Sequence, residues 1–205
     1  QPATVDPAHL DRLARRALEE LPAAYERIQL SPMCPLGTSS SLGGVSQDWV
    51  VTTVRGGEVV SDPTSVLALE CALRRRGDRT RPVRLCATHR VLRAQPFESP
   101  FAQHFGLLAL CTAGRAGAEE GLLAEHMDMY RRFLEGLDAG PVVVDRIPRK
   151  PAYYEGSTFA VSIAGTEIVE GGFVDSTQTL LGDRKERLLT SAVGLDLLAR
   201  VVEAG

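Results

Sequence analysis

Two apolar runs, residues 83–92 and 104–111, flank a polar loop that carries Arg93, Gln95, Glu98, Gln103 and His104. Leu85, Val91 and Leu92 precede the loop, and Phe105 to Leu110 follow it. A strand, a loop and a returning strand form an antiparallel pair, which holds the loop's cation and amides over one face of a sheet. Arg93 in that place suits a carboxylate or a phosphate, because a guanidinium donates in a planar fork. Asp62, in Ser61-Asp62-Pro63-Thr64, precedes an apolar helical run. Its carboxylate either caps that helix or points into a site at the top of the sheet.

The other reactive side chains read mostly as structural. Cys71, Cys86 and Cys111 sit in apolar company and behave as small core residues. The absence of a CxxC pair fits a reducing cytosol. Cys34, between Met33 and Pro35, is the one candidate nucleophile, with no base beside it in sequence. His9, His89, His104 and His126 lack metal-ligand spacing, so no metal site is expected. His126 lies on an apolar helical stripe and reads as a core histidine. Residues 36–44, LGTSSSLGG, offer backbone N–H groups that can cradle phosphate. They lack the Gly-Lys-Ser/Thr end of a P-loop, and a flexible connection is the plainer reading. Arg74-Arg75-Arg76 suits a helix C-terminus and reads as a solvated helix end.

These side chains need elements to position them. Helices are predicted over 6–25, 65–76 and 119–137 from apolar residues at helical spacing. A short strand is expected at 28–30, and a hairpin over 49–54 and 58–60 turning at Gly56-Gly57. Further strands are predicted at 141–145, 158–161 and 167–169, punctuated by Gly171-Gly172. Residues 188–203 read as a strand and a helix joined at Gly194. The fold class is therefore α+β, a largely antiparallel sheet flanked by helices packed to one side. A length of 205 residues suits a single domain, 1–205, with a substantial core. The composition, 44% hydrophobic and 24% charged, is that of an ordinary soluble globular chain. A net charge of −3 gives no basic field for nucleic acid. No apolar run reaches the ~18–20 residues that cross a bilayer, and a cytoplasmic location is expected.

In this order the motifs resemble the catalytic core of class II aminoacyl-tRNA synthetases. The likeness is closest to the histidyl group, with its non-catalytic relative, the regulatory subunit of ATP phosphoribosyltransferase. The opening helix and residues 28–32 are similar to motif 1, which implies a homodimer. Asp62-Pro63-Thr64 resembles the Glu-Gly-Thr turn, which implies that Asp62 and Thr64 meet the ligand's α-amino group. Val91 to Gln95 resembles motif 2, whose arginine, here Arg93, binds the α-phosphate and the carboxylate. His104-Phe105-Gly106-Leu107-Leu108 is similar to the strand behind motif 2. Arg149 with Tyr153-Tyr154-Glu155-Gly156 and Phe159 resembles a histidyl signature. Gly171-Gly172 with Asp175 matches another, and residues 192–198 resemble motif 3.

The departures from the family carry as much information. Gln95 replaces the motif 2 glutamate, and Leu197 replaces the motif 3 arginine that grips the γ-phosphate. Leu108 stands at the position of the acid that reads histidine. Only 33 residues separate Arg115 from Arg149, which leaves little room for the histidyl insertion, and no anticodon-binding domain is expected. The resemblance then implies a synthetase-like paralogue that binds a small amino acid or nucleotide-like ligand without charging tRNA. Arg93 and Arg149 would hold the anionic end, with Asp62 at the amine and Gln95, His104, Tyr153 and Tyr154 lining the walls. The alternative is an ATP-dependent ligase that activates an amino acid as its adenylate for a non-tRNA acceptor. That reading takes ATP and Mg2+ as cofactors, with Glu98, Glu155 and Glu170 as candidates for the ion. A third possibility is unrelated chemistry at Cys34.

Overall fold

The computed structural model describes residues 2–98, 101–147 and 153–204. Asp6 caps helix α1 (Pro7–Glu19) by accepting from the Ala8 N–H, with proline in the first turn. The helix stops at Glu19 rather than Tyr25 because Pro22 cannot continue it. Strand β1 (Glu26–Arg27) runs parallel to β4 (Val83–Leu92). It sits two residues earlier than the predicted 28–30, although the Ile28 N–H still donates to the Cys86 carbonyl at 2.9 Å.

β4 pairs with β5 (His104–Arg115) in the predicted antiparallel fashion, from Val83 opposite Ala113 to Leu92 opposite His104. β6 (Val142–Ile147), β7 (Thr158–Ile163), β8 (Thr166–Val174) and β9 (Glu186–Gly194) complete a seven-stranded sheet. Its order is β1-β4-β5-β9-β8-β7-β6, antiparallel throughout except at β1. This is the expected α+β class, a largely antiparallel sheet flanked by helices.

Helices cover both faces rather than one. On the back, α1, α4 (Glu119–Glu135) and α6 (Leu195–Ala204) bury Leu13, Leu123, Phe133 and Leu198 against Leu108, Leu110 and Val193. On the front, α3 (Pro63–Gly77) packs Leu67, Ala68 and Cys71 against Ala109 and Cys111, with α5 (Ser176–Leu181) beside it. Alternate residues of β5 thus feed two cores, which explains its unbroken apolar run. α1 spends its apolar stripe on this back core.

Three local expectations fail for identifiable reasons. The predicted 49–60 hairpin reduces to an isolated Thr52–Glu58 bridge. Trp49 lies in a 3-10 turn, and β3 (Gly57–Val59) pairs instead with β2 (Met33–Pro35). Gly171 and Gly172 do not punctuate; they lie inside β8, where a Cβ would fall 2.5 Å from Phe159 and from Tyr154. Arg75, read as a solvated helix end, is fully buried, and its guanidinium forks onto Glu186 at 2.8 and 2.9 Å. A charge at that depth persists only when paired and hydrogen-bonded.

Candidate functional site

Asp62 leaves the extended chain after β3 and caps α3. Its Oδ1 accepts from the Thr64 N–H at 2.9 Å and the Thr64 hydroxyl at 2.8 Å. Its Oδ2 faces Arg93, one terminal nitrogen of which stands 3.8 Å away. One oxygen caps the helix and the other turns to a cavity. Burial raises the Asp62 carboxyl above its ordinary range, against the pull of Arg93 and Thr64.

Arg93 follows the last residue of β4. Its Nε donates to the Ser61 carbonyl at 2.9 Å, and its guanidinium carbon lies 5.3 Å from the centre of the Phe105 ring. The Arg93 N–H donates to the Gln103 carbonyl at 2.8 Å, and the Ala94 N–H to the Trp49 carbonyl at 2.7 Å. These bonds clip the two ends of the loop together and bring Trp49 alongside.

Tyr153 and Tyr154 form the facing wall, their ring centres 4.7 Å apart. The Tyr153 ring lies on Gly44, whose φ of +65° suits glycine and where a Cβ would come within 2.6 Å of the ring. The Tyr153 hydroxyl donates to the Leu42 carbonyl at 3.4 Å. Burial pushes both phenols above their usual range.

These groups bound two adjoining compartments that share Asp62, Arg93, Tyr153, Tyr154 and Glu170. The outer one, about 330 Å³, is completed by Gly43, Gly44, Val45, Trp49 and Gln95. The inner one, about 160 Å³, is completed by Thr64, Phe105, Leu107, Thr190, Ser191 and Ala192. Asp62, Thr64, Arg93, Gln95, Tyr153 and Tyr154 thus stand on one cavity. Arg149 lies outside the described residues.

His104 does not join them. Strand alternation sends Phe105 and Leu107 to the cavity and turns His104, Gly106 and Leu108 to the other face. His104 Nδ1 accepts from Arg90 Nε at 2.9 Å, and the ring lines a separate cavity of about 190 Å³ with Phe97, Phe101, Leu197 and Arg200. Leu108, aligned with the acid that reads histidine, is a back-core residue for the same reason. A slip of one residue in register exchanges the faces. That alternation was the available signal for Phe105 and Leu107; nothing local in sequence pointed to Trp49 or Ala192.

The small-residue segment does cradle an anion, but the anion is the protein's own. The Gly37 and Ser39 N–H groups, before and within the short helix α2 (Thr38–Leu42), each donate to the buried Glu58 carboxylate at 2.7 Å. Burial alone would raise that carboxyl; the two N–H groups outweigh it and hold it low. Cys34 is buried beside Glu58, and burial and that negative charge push its thiol up, which disfavours the thiolate a nucleophile needs. His126 is a core histidine, bonded to Thr112 at 2.9 Å and Ser191 at 2.8 Å and held down at about 3 by burial.

The three carboxylates proposed for Mg2+ do not form one donor set. Glu170 lines the central cavity, Glu155 lines a separate one with Glu119, Arg184 and Arg187, and Glu98 is exposed in the loop. Among the described residues no cluster of three His, Cys, Asp or Glu is placed to hold a metal ion. No described helix is long and apolar enough to cross a membrane.

No family model matches this chain, and no curated protein does. Two solved structures of pyrrolysyl-tRNA synthetase from Desulfitobacterium hafniense match it with a TM-score of 0.73. The match has 15% identity and covers 98% of this chain and 70% of theirs. A likeness at that identity shows a shared fold.

Proposed function

We propose that this chain, which has the fold of the class II aminoacyl-tRNA synthetase catalytic core, binds a small zwitterion of the α-amino-acid class and does not charge tRNA. The observation that carries this reading is the meeting of Arg93 and Asp62 on one cavity, 3.8 Å apart. That spacing exceeds a hydrogen bond, so neither group is saturated by the other. A carboxylate can take Arg93 while an ammonium takes Asp62. Burial raises the Asp62 carboxyl, and an ammonium beside it favours the ionised form. Tyr153 and Tyr154 wall the cavity beside the pair. Leu197 supports the absence of tRNA charging, since an isobutyl group cannot fork to a phosphate. A homodimer rests on the motif 1 resemblance rather than on α1, whose stripe is used within the chain.

A second reading, the ATP-dependent ligase, is favoured by Arg200. One helical turn beyond Leu197, it lines the same aromatic cavity as Phe97, Phe101 and Phe105, a cation close to where motif 3 lost its own. Melting curves of the full chain against ATP and the twenty amino acids test the main reading. An amino acid should raise the melting temperature, and Arg93→Ala should abolish the shift. Amino-acid-dependent pyrophosphate exchange would establish the ligase instead.

A further inference from the structure

We infer that Glu58, which lines neither compartment, is a positioning residue for the site: its carboxylate fixes residues 37–45 against Asp62 and Tyr153, and ligand affinity depends on that hold. The link to affinity rests on the amino-acid reading above. Residues 37–45 cannot hold themselves. Helix α2 is only Thr38-Ser39-Ser40-Ser41-Leu42, too short to be stable alone and built mostly from weak helix formers. It opens on Gly37 at φ +86° with no side-chain cap, so its first N–H groups need acceptors from elsewhere.

Glu58 supplies those acceptors. It stands in β3 opposite Cys34, fully buried, and its two oxygens take the Gly37 and Ser39 N–H groups at 2.7 Å each. Bonds of that length to an ionised carboxylate are charge-assisted and stronger than neutral ones. The connection to the cavity then runs through Ser39, which is also fully buried. While its N–H donates to Glu58, its carbonyl accepts from the Gly43 N–H at 3.0 Å and the Val45 N–H at 3.3 Å.

Gly43, Gly44 and Val45 are outer wall, and they meet the site closely. A Cβ on Gly43 would stand 3.3 Å from the Asp62 Cβ, and one on Gly44 2.6 Å from the Tyr153 ring. The Leu42 carbonyl takes the Tyr153 hydroxyl at 3.4 Å. The places of Asp62 and Tyr153 thus follow that of residues 42–45, which in turn follows Glu58. Glutamine in place of Glu58 keeps the shape but has one acceptor oxygen, and its NH2 would face an N–H donor. One buried donor is then left without a partner.

Hydrogen exchange and calorimetry on the full chain, wild type against Glu58→Gln, test the inference. Amides of residues 37–45 should exchange at least tenfold faster in the variant, while those of the β4–β5 pair stay within threefold of wild type. Titrated one by one, every one of the twenty amino acids that binds wild type should bind the variant at least tenfold more weakly. Glu58→Ala leaves room for a free carboxylate. Acetate should restore both its slow exchange and its affinity, and acetamide, the neutral isostere, should restore neither. If Glu58→Gln fails to fold, Glu58→Ala prepared in acetate carries the same comparison when the anion is removed. Exchange unchanged in 37–45, or raised equally in the β4–β5 pair, overturns the positioning role. Faster exchange with affinity held within threefold overturns its link to the site. Rescue by both additives or by neither overturns the part played by charge. No amino acid binding to wild type overturns the reading of the site, and the exchange comparison still decides whether Glu58 holds the wall.

Discussion

Two polar clusters lie back to back across the same strands, and they differ in what they leave undone. On the back face Tyr25, Thr112, His126, Ser191 and Tyr130 form a chain of hydrogen bonds of 2.8 to 3.1 Å. It is buried, and only Ser191 of its five members lines a cavity described above. On the front face Asp62 and Arg93 oppose each other at 3.8 Å across open volume. A satisfied network rigidifies a core, whereas incompletely paired charges beside a cavity are available to a ligand. Polarity under the surface is common to both, and unspent capacity next to space is what separates them.

The largest expected effect is on the front. Arg93→Ala removes charge-assisted bonds worth ~1.5–3 kcal/mol each and should weaken amino-acid binding by about a hundredfold or more, with calorimetry as the readout. A loss below tenfold would deny Arg93 its assigned role. On the back, His126→Leu should cost about 1–3 kcal/mol by removing one of the two partners of each of the Thr112 and Ser191 hydroxyls. Thermal melts should show a fall of roughly 2–10 °C, and ligand affinity should hold. If affinity falls with stability, the two faces are not independent.

The same histidine sets a pH dependence. In the fold it is held down at about 3, against 6.5 when unperturbed, so between these values the unfolded chain binds the extra proton. Its contribution is complete above about 6.5 and is lost as pH falls towards 3, by up to about 1.4 kcal/mol per pH unit. Asp62 acts with the opposite sign: its raised carboxyl stabilises at low pH and loses that contribution as pH rises past the ordinary carboxylate value. Urea melts from pH 4 to 7 on wild type and His126→Leu isolate the histidine, and parallel curves would refute the assignment. The smallest effect is expected at Gly44→Ala, about 1 kcal/mol or a little more from the positive φ and the Tyr153 contact. It should also loosen the ligand, since Tyr153 must shift.

Legibility varied with the kind of signal. The β4–β5 pair, α3 with its Asp62 cap, α4 and the β9–α6 join at Gly194 all follow from periodicity, caps and breakers. The 49–60 hairpin did not, because β3 found a better partner in β2, more than twenty residues upstream. Arg75 looked like any arginine at a helix end, and its burial depends on Glu186, 111 positions away. His104 was assigned to the site through a motif alignment that ignored strand parity. His104 and Phe105 both line the cavity of about 190 Å³, but only Phe105 also reaches the inner compartment, as alternation along β5 gives one of two neighbours to each face.

By itself, then, the order of residues determined the elements, their fold class and the cations and carboxylates able to do chemistry. These depend on short-range rules: steric limits on the backbone, capping and periodicity. Only the tertiary structure decided which side chains share a cavity, which anion the small-residue segment holds and how deeply each charge is buried. Those are properties of the three-dimensional packing. Contacts such as Asp62 with Arg93 or Tyr153 with Gly44 join positions that no local rule relates.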